Sequence, residues 1–235
     1  MVTYIHNVCY EVSVVPRNKH PEETINKILD VAFKLFVEKG YEQTTVLDIV
    51  EGLGGMTRGA FYHHFKDKAA VFDAVGDRIF LENGPFAHLD KLTGMTGLQK
   101  IQWMMKQSIL EPHPDAQAMN QMGLTLISDP HFLTMQIKSN VTVARDFLAP
   151  LFAEGMADGS IRPGNPVVLA DLFMLTFNLW TFPTLFPCDQ EEFVARLTTI
   201  AEIFENLGCP LIDEEMAAAT NDIAALFSVE PAPAD

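Results

Sequence analysis

Apolar side chains recur along this chain every three or four residues, and no segment shows the every-second-residue alternation of a half-buried strand. In "HPEETINKILDVAFKLFVEKGY" the positions Ile25, Ile28, Leu29, Ala32, Phe33 and Phe36 share one helical face. Pro21 suits the first turn, Glu22 and Glu23 complement its positive end, and Gly40 stops the helix. A second, short helix starts at Thr45, with Asp48 three residues on as a capping-box variant. It carries Val46, Ile49, Val50 and Leu53 and ends at Gly54-Gly55. A third follows at once with Thr57 as its N-cap, and Phe61 and Phe65, one turn apart, anchor it to the first. Beyond it the pattern predicts helices over 68–82, 97–111, 114–128, 130–155, 166–186, 189–207 and 213–227, with Pro150 kinking or shortening the fourth. The fold class is all-α: three helices with a helix-turn-helix arrangement, then a larger helical domain. The boundaries expected are a tail over 1–20, the helix-turn-helix over 21–66, the second domain over 67–228 and a tail over 229–235.

Composition narrows the classes. Of 235 residues 48% are apolar, an ordinary globular balance. The start lacks the basic-then-apolar pattern of a secretory leader. The most apolar run, "PVVLADLFMLTFNLWTF", is short and carries Asp171 and Asn178, so it reads as a buried helix and no membrane partner is expected. Cys9, Cys188 and Cys209 are odd in number and far apart, which suits a reducing cytoplasm and neither a disulfide framework nor a zinc site. His63 and His64 point to different helical faces, the other histidines are scattered, and no phosphate-cradling or nucleophile motif occurs. No metal, cofactor or catalytic residue is expected.

Charge changes the picture more. The net of -15 is uneven: residues 1–80 hold nine Lys/Arg against eleven Asp/Glu, and residues 81–235 hold seven against twenty. An acidic chain repels nucleic acid as a whole, but its first part can still present a positive face. That face falls in "MTRGAFYHHFKDK". Arg58 and Tyr62 lie one turn apart on one strip, Gly59 is costly in a helix unless something large approaches its backbone, and Lys68 opposes the dipole of the next helix. Each residue alone also fits a solvated helix junction. Together they are what insertion into a DNA major groove requires.

The segments "TTVLDIV", "GGMTRGAFYHHF" and "KDK" resemble the DNA-binding domain of the TetR family of transcriptional regulators over residues 22–80, with a turn in "IVEGLGGMTRG" one residue longer than the family pattern. The resemblance implies that Thr45 touches phosphate and that Thr57, Arg58, Gly59 and Ala60 face the groove floor. It also places Tyr62 and His64 at the DNA backbone, counts His63 in the DNA-binding set and makes Lys68 a phosphate clamp. It further implies an effector cavity in the second domain, whose Met and aromatic residues Trp103, Met104, Met119, Met122, Phe132, Met135, Phe173, Phe177 and Trp180 are candidate lining for a mainly apolar small molecule. Phe193, Leu197, Ile200, Phe204 and Leu207 follow 4-3-4-3 spacing, either an internal bundle contact or the seam of a homodimer. Paired half-sites favour the dimer. The reading is a repressor that binds a palindromic double-stranded operator as a dimer and is released by ligand. An all-α carrier or enzyme, or an activator of the same architecture, would share the helical pattern. The Arg58/Tyr62/Lys68 set separates the first of these from a DNA-binding protein.

Overall fold

The computed structural model describes residues 21–220; the tails expected over 1–20 and 229–235, and the end of the helix expected over 213–227, lie outside them. Among the described residues there are eleven α-helices and no strand. α1 (Pro21–Lys39), α2 (Val46–Gly52), α3 (Arg58–Tyr62) and α4 (Lys68–Asn83) enclose a first core. α5 (Gly97–Ile109), α8 (Ala149–Asp158), α9 (Pro166–Leu175), α10 (Gln190–Asn206) and α11 (Glu214–Ala218) build the second, while α6 (Pro114–Leu126) packs on the first and α7 (Pro130–Val143) reaches the first with Phe132 and the second with Val143.

The first core is the apolar stripe of α1 closed by its neighbours. Ile28, Leu29, Ala32 and Phe36 pack with Ile49 and Val50 of α2, with Phe61 and Phe65, and with Val71, Phe72, Val75 and Ile79 of α4. α4 therefore belongs to the core of the helix-turn-helix, and so does Leu126 from α6. Across 66–67 the hydrophobic packing is continuous.

α7 and α8 form one helix interrupted by a π-helical turn at Ala144–Leu148, in which the Ala149 amide donates five residues back to the Ala144 carbonyl. Pro150 has no N–H and crowds the preceding turn, and the widened turn accommodates it. The expected kink is thus a bulge. α9 also runs into a π-helical turn, Thr176–Trp180, and stops there, six residues short of the expected end. Pro183 follows, and Arg196 bridges the turn around it, donating to the carbonyls of Trp180 (3.3 Å) before the proline and Phe186 (2.7 Å) after it.

α10 corrects the expected dimer seam. Phe193, Ile200 and Phe204 are buried inside their own chain, Ile200 and Phe204 with Phe152 and Phe173 in the second core. Leu197 is partly buried beside Cys188 and Phe193, and Leu207 alone of the five is exposed. The 4-3-4-3 strip is an internal contact: Phe204 meets Phe173 and Phe177, 6.3 and 6.1 Å between ring centroids.

α5 and α8 cross at two glycines. A Cβ on Gly97 would lie 2.2 Å from the Gly155 backbone nitrogen, so the helices touch backbone to backbone. The crossing is pinned by Asp158, whose carboxylate accepts from the Gly97 amide at 2.7 Å. Gly97→Ala should force the helices apart at a cost of about 2 kcal/mol, and thermal unfolding should show a midpoint roughly 4–8 °C lower. An unchanged midpoint would contradict this packing.

Candidate functional site

Three caps shape the surface around α3. Thr44, fully buried, donates its hydroxyl to the Gly40 carbonyl at 2.7 Å and so ties off the end of α1. Thr45 and Asp48 make the reciprocal capping box at the start of α2: the Asp48 amide donates to the Thr45 hydroxyl oxygen, and Asp48 Oδ2 accepts from the Thr45 amide at 2.7 Å. The Lys39 ammonium, 2.7 Å from the Asp48 carboxylate, together with the Thr45 hydrogen bonds, holds that carboxyl well below the usual range. Thr57 caps α3 by accepting from the Ala60 amide at 3.1 Å. Between the helices Gly54 and Gly55 take φ of 60° and 142°, which admits the long turn without a side-chain penalty.

These constraints fix what α3 shows to solvent. Phe61 and Phe65 point inward, while Thr57, Arg58, Gly59, Tyr62 and His63 are exposed on the outer side beside half-buried Ala60 and His64. Arg58 makes no hydrogen bond or ion pair among the described residues, and the Tyr62 ring leans edge-on against Phe61, 5.5 Å between centroids, with its outer end in solvent. Burial, and the neighbouring His63, lower the His64 pKa, so this imidazole is neutral near pH 7. Gly59 carries the most information. A Cβ there would meet only the Thr57 hydroxyl oxygen, at 3.9 Å, so nothing within the chain needs a glycine. As the second residue of α3 it is a weaker helix former than alanine, by up to about 1 kcal/mol. The bare backbone is a feature of the outer surface.

Lys68 departs from expectation. Its ammonium donates to the Tyr41 carbonyl at 2.6 Å and reaches the Glu42 carbonyl at 3.4 Å, and it lies 4.0 Å from the centre of the Tyr41 ring. Burial lowers its pKa. The unfavourable position at the start of α4 is thus answered inside the chain: Lys68 ties the α1–α2 loop, and with it the cap of α2, to α4.

The second domain holds a cavity of about 630 Å³ between α4, α5, α6, α7, α9 and α10. Trp103, Met104, Met119, Phe132, Met135, Phe173 and Phe177 are in its wall, as expected. Trp180 is not; it packs at the margin of the second core. Met122 is not either: it faces a separate groove with Phe36 and Tyr41, because α6 turns that side toward α1. The sequence reading missed the polar part of the wall, where Gln136 and Asn140 join Phe132, Met135, Ser139 and Val143 on one face of α7. A three-and-four spacing of mixed polar and apolar residues was the available signal. Phe80, Phe86 and Phe147, mutually 5.1–5.4 Å apart between ring centroids, were also missed.

Comparison with known proteins bears on both regions. The profile of the tetR family of bacterial regulatory proteins matches residues 28–75. The transcriptional regulator AcrR of Shigella flexneri is 44% identical over 54 residues, which is 23% of this chain and 25% of that protein, so the likeness covers a quarter of that relative's length. The transcriptional repressor KstR2 of Mycolicibacterium smegmatis is 27% identical over 166 residues, 66% of this chain and 75% of that one. Among solved structures, Salmonella enterica GusR aligns with a TM-score of 0.56 at 20% identity, over 80% of this chain and 96% of its own. A putative TetR-family regulator from Mesorhizobium loti gives 0.53 at 18%, over 79% and 96%. These structures share the all-helical fold.

The tie made by Lys68 generates a prediction. Lys68→Met keeps the stem and removes the ammonium, which should speed amide hydrogen exchange across residues 41–48 and cost about 1–3 kcal/mol of stability. Exchange in that loop equal to wild type would show that the tie does not hold it.

Proposed function

We propose that this chain, whose residues 28–75 match the profile of the tetR family of bacterial regulatory proteins, is a transcriptional repressor that binds a palindromic operator as a homodimer and leaves it when a small molecule enters the second domain. The surface of α3 carries the reading. Arg58 and Tyr62 stand unengaged on a capped five-residue helix, and Gly59 between them bares backbone that only an external body can approach. The exposure of Thr45 and Thr57 at helix starts supports phosphate contact there, and neutral His64 can donate one hydrogen bond to it. Lys68 acts first by shaping the loop that presents Thr45.

The dimer surface moves from α10 to α9. Val168 and Leu175 are 58% and 56% exposed, a large apolar area for a monomer to leave in water. They flank Asp171, which pairs with Arg145 at 3.1 Å, and Arg145 continues the strip of Ile137 and Val141, also exposed. The ion pair joins the two strips into one patch, which supports a two-fold contact there. Effector release is supported by the position of Phe72 and Phe132. Both line the cavity, and both rings contact Tyr41, at 5.0 and 5.1 Å, on the loop that Lys68 holds.

Two expected outcomes test this. Gly59→Ala should leave thermal stability unchanged or raise it by up to about 1 kcal/mol, yet weaken binding to the promoter-proximal palindrome at least tenfold in a gel shift. Arg58→Ala should relax discrimination between operator and altered sites by about 1–3 kcal/mol. Binding of promoter DNA no better than unrelated DNA at low salt would sink the reading, and so would a Gly59→Ala protein that binds as wild type does. For assembly, Val168→Glu with Leu175→Glu should sediment as a folded monomer, whereas a wild-type chain already monomeric at micromolar concentration would refute the dimer.

A further inference from the structure

The cavity wall carries an unmet hydrogen-bond demand. Asn140, on α7, is only 5% exposed. Gln136, one turn earlier, donates its Nε2 to Asn140 Oδ1 at 2.9 Å, which fixes the amide with its nitrogen turned away from Gln136. That nitrogen, Nδ2, is buried and has no acceptor. A buried donor left unpaired is uncommon in a folded protein, because nothing replaces the water it gave up. Packing alone would be served better by an apolar side chain. Both Gln136 and Asn140 line the cavity, so the cavity is the side from which an acceptor can arrive.

Charge limits which acceptor it is. The described lining contains Asp73, Asp77 and Glu111 and no lysine or arginine; its other ionisable groups are His88 and His113. A carboxylate or phosphate entering this space would find no lysine or arginine in the described lining, and would lose its hydration as well. The remaining lining is rich in aromatic rings, among them Phe80, Phe86, Phe147 and Phe177. Such a wall suits a flat or bulky apolar body.

We infer that the effector is a non-anionic, largely apolar compound that presents a neutral oxygen acceptor, such as a ketone, ester or amide carbonyl, to Asn140. Gln136 is the positioning residue that sets the amide. The inference rests on the proposed effector cavity and adds the chemistry of its polar end. A site built around a buried donor rejects an analogue lacking the acceptor, because binding that analogue leaves the donor unpaired for good.

Three naphthalene probes of similar size test it by titration calorimetry on the full-length protein: acetylnaphthalene, ethylnaphthalene and naphthoate. Wild type should bind the ketone about tenfold more tightly than the hydrocarbon, as one buried hydrogen bond allows, and should bind naphthoate at least tenfold more weakly than the ketone. In Asn140→Leu, which keeps the volume and removes the orphan, the ketone's advantage should disappear while the hydrocarbon binds as before. Its thermal midpoint should be no lower than wild type. Hydrocarbon binding with no ketone advantage in wild type overturns the inference and leaves the cavity reading standing. A ketone advantage that survives Asn140→Leu, or naphthoate binding as tightly as the ketone, overturns it equally. Binding of none of the three overturns the cavity reading and the inference together.

Discussion

The structure turns on the packing around Tyr41. This residue lies just past the end of α1, where Gly40 takes a positive φ of 87° to turn the chain. Its ring meets Phe36 from α1, Phe72 from α4 and Phe132 from α7, with centroids 5.0–5.4 Å away. Lys68 lies 4.0 Å from the ring centre and holds the carbonyl of the same residue. Burial, with nearby carboxylates, pushes the Tyr41 phenol up to about 12, so the group stays neutral at any physiological pH. Three helices, α1, α4 and α7, meet at one side chain, and α1 and α7 come from opposite halves of the chain. Close-packed aromatic contacts of this kind cannot yield by small amounts without losing contact.

That junction explains how a cavity could govern a surface on the other half. α4, sixteen residues and about 24 Å long, carries Lys68 at its start and lines the cavity with Asp73, Gly76, Asp77, Phe80 and Asn83 along its length. Arg78 pairs with Asp30 at 2.7 Å, which ties α4 to α1. A ligand can shift such a system only through its preference for one arrangement. Moving occupancy from nearly full to nearly empty takes about 5.5 kcal/mol, which corresponds to roughly 200 Å² of apolar ligand surface buried in one arrangement and not in the other. The aromatic wall is large enough to provide this if Phe72 and Phe132 close on the ligand.

The helix-turn-helix was legible in the chain because its determinants are local. Thr45 with Asp48, Thr57, Gly54 and Gly55 each act within a few residues, and each does in the structure what its chemistry implies. The 4-3-4-3 strip of α10 was read correctly as a buried stripe and assigned to the wrong partner. Periodicity reports that a face is covered, and Phe193, Ile200 and Phe204 are covered by their own chain. Met122 and Trp180 failed as lining for a related reason: composition marks adaptable apolar residues, while the rotation of α6 and the end of α9 decide which way they face. Asn140 could not be found from sequence at all. A polar residue among Met and Phe is ordinary on a half-exposed helix, and its missing partner exists only once the surrounding helices enclose it.

The acidity of the chain then acquires a role that no single contact shows. Residues 81–235 hold a net of -13, while the outer side of α3 and the turn after it carry Arg58, His63 and Lys66. A polyanion meets net repulsion from the second part of the chain, and the α3 side offers local positive charge. Nonspecific DNA affinity comes almost wholly from the number of phosphates neutralised. In the proposed reading the rest comes from correct docking of α3, with Gly59 letting the backbone approach and Arg58 reaching past it. The described cavity lining holds no lysine or arginine, so it offers an entering anion no permanent cation. In the proposed reading, the sparing use of cations that limits nonspecific contact with nucleic acid thus bears on the charge of the effector as well.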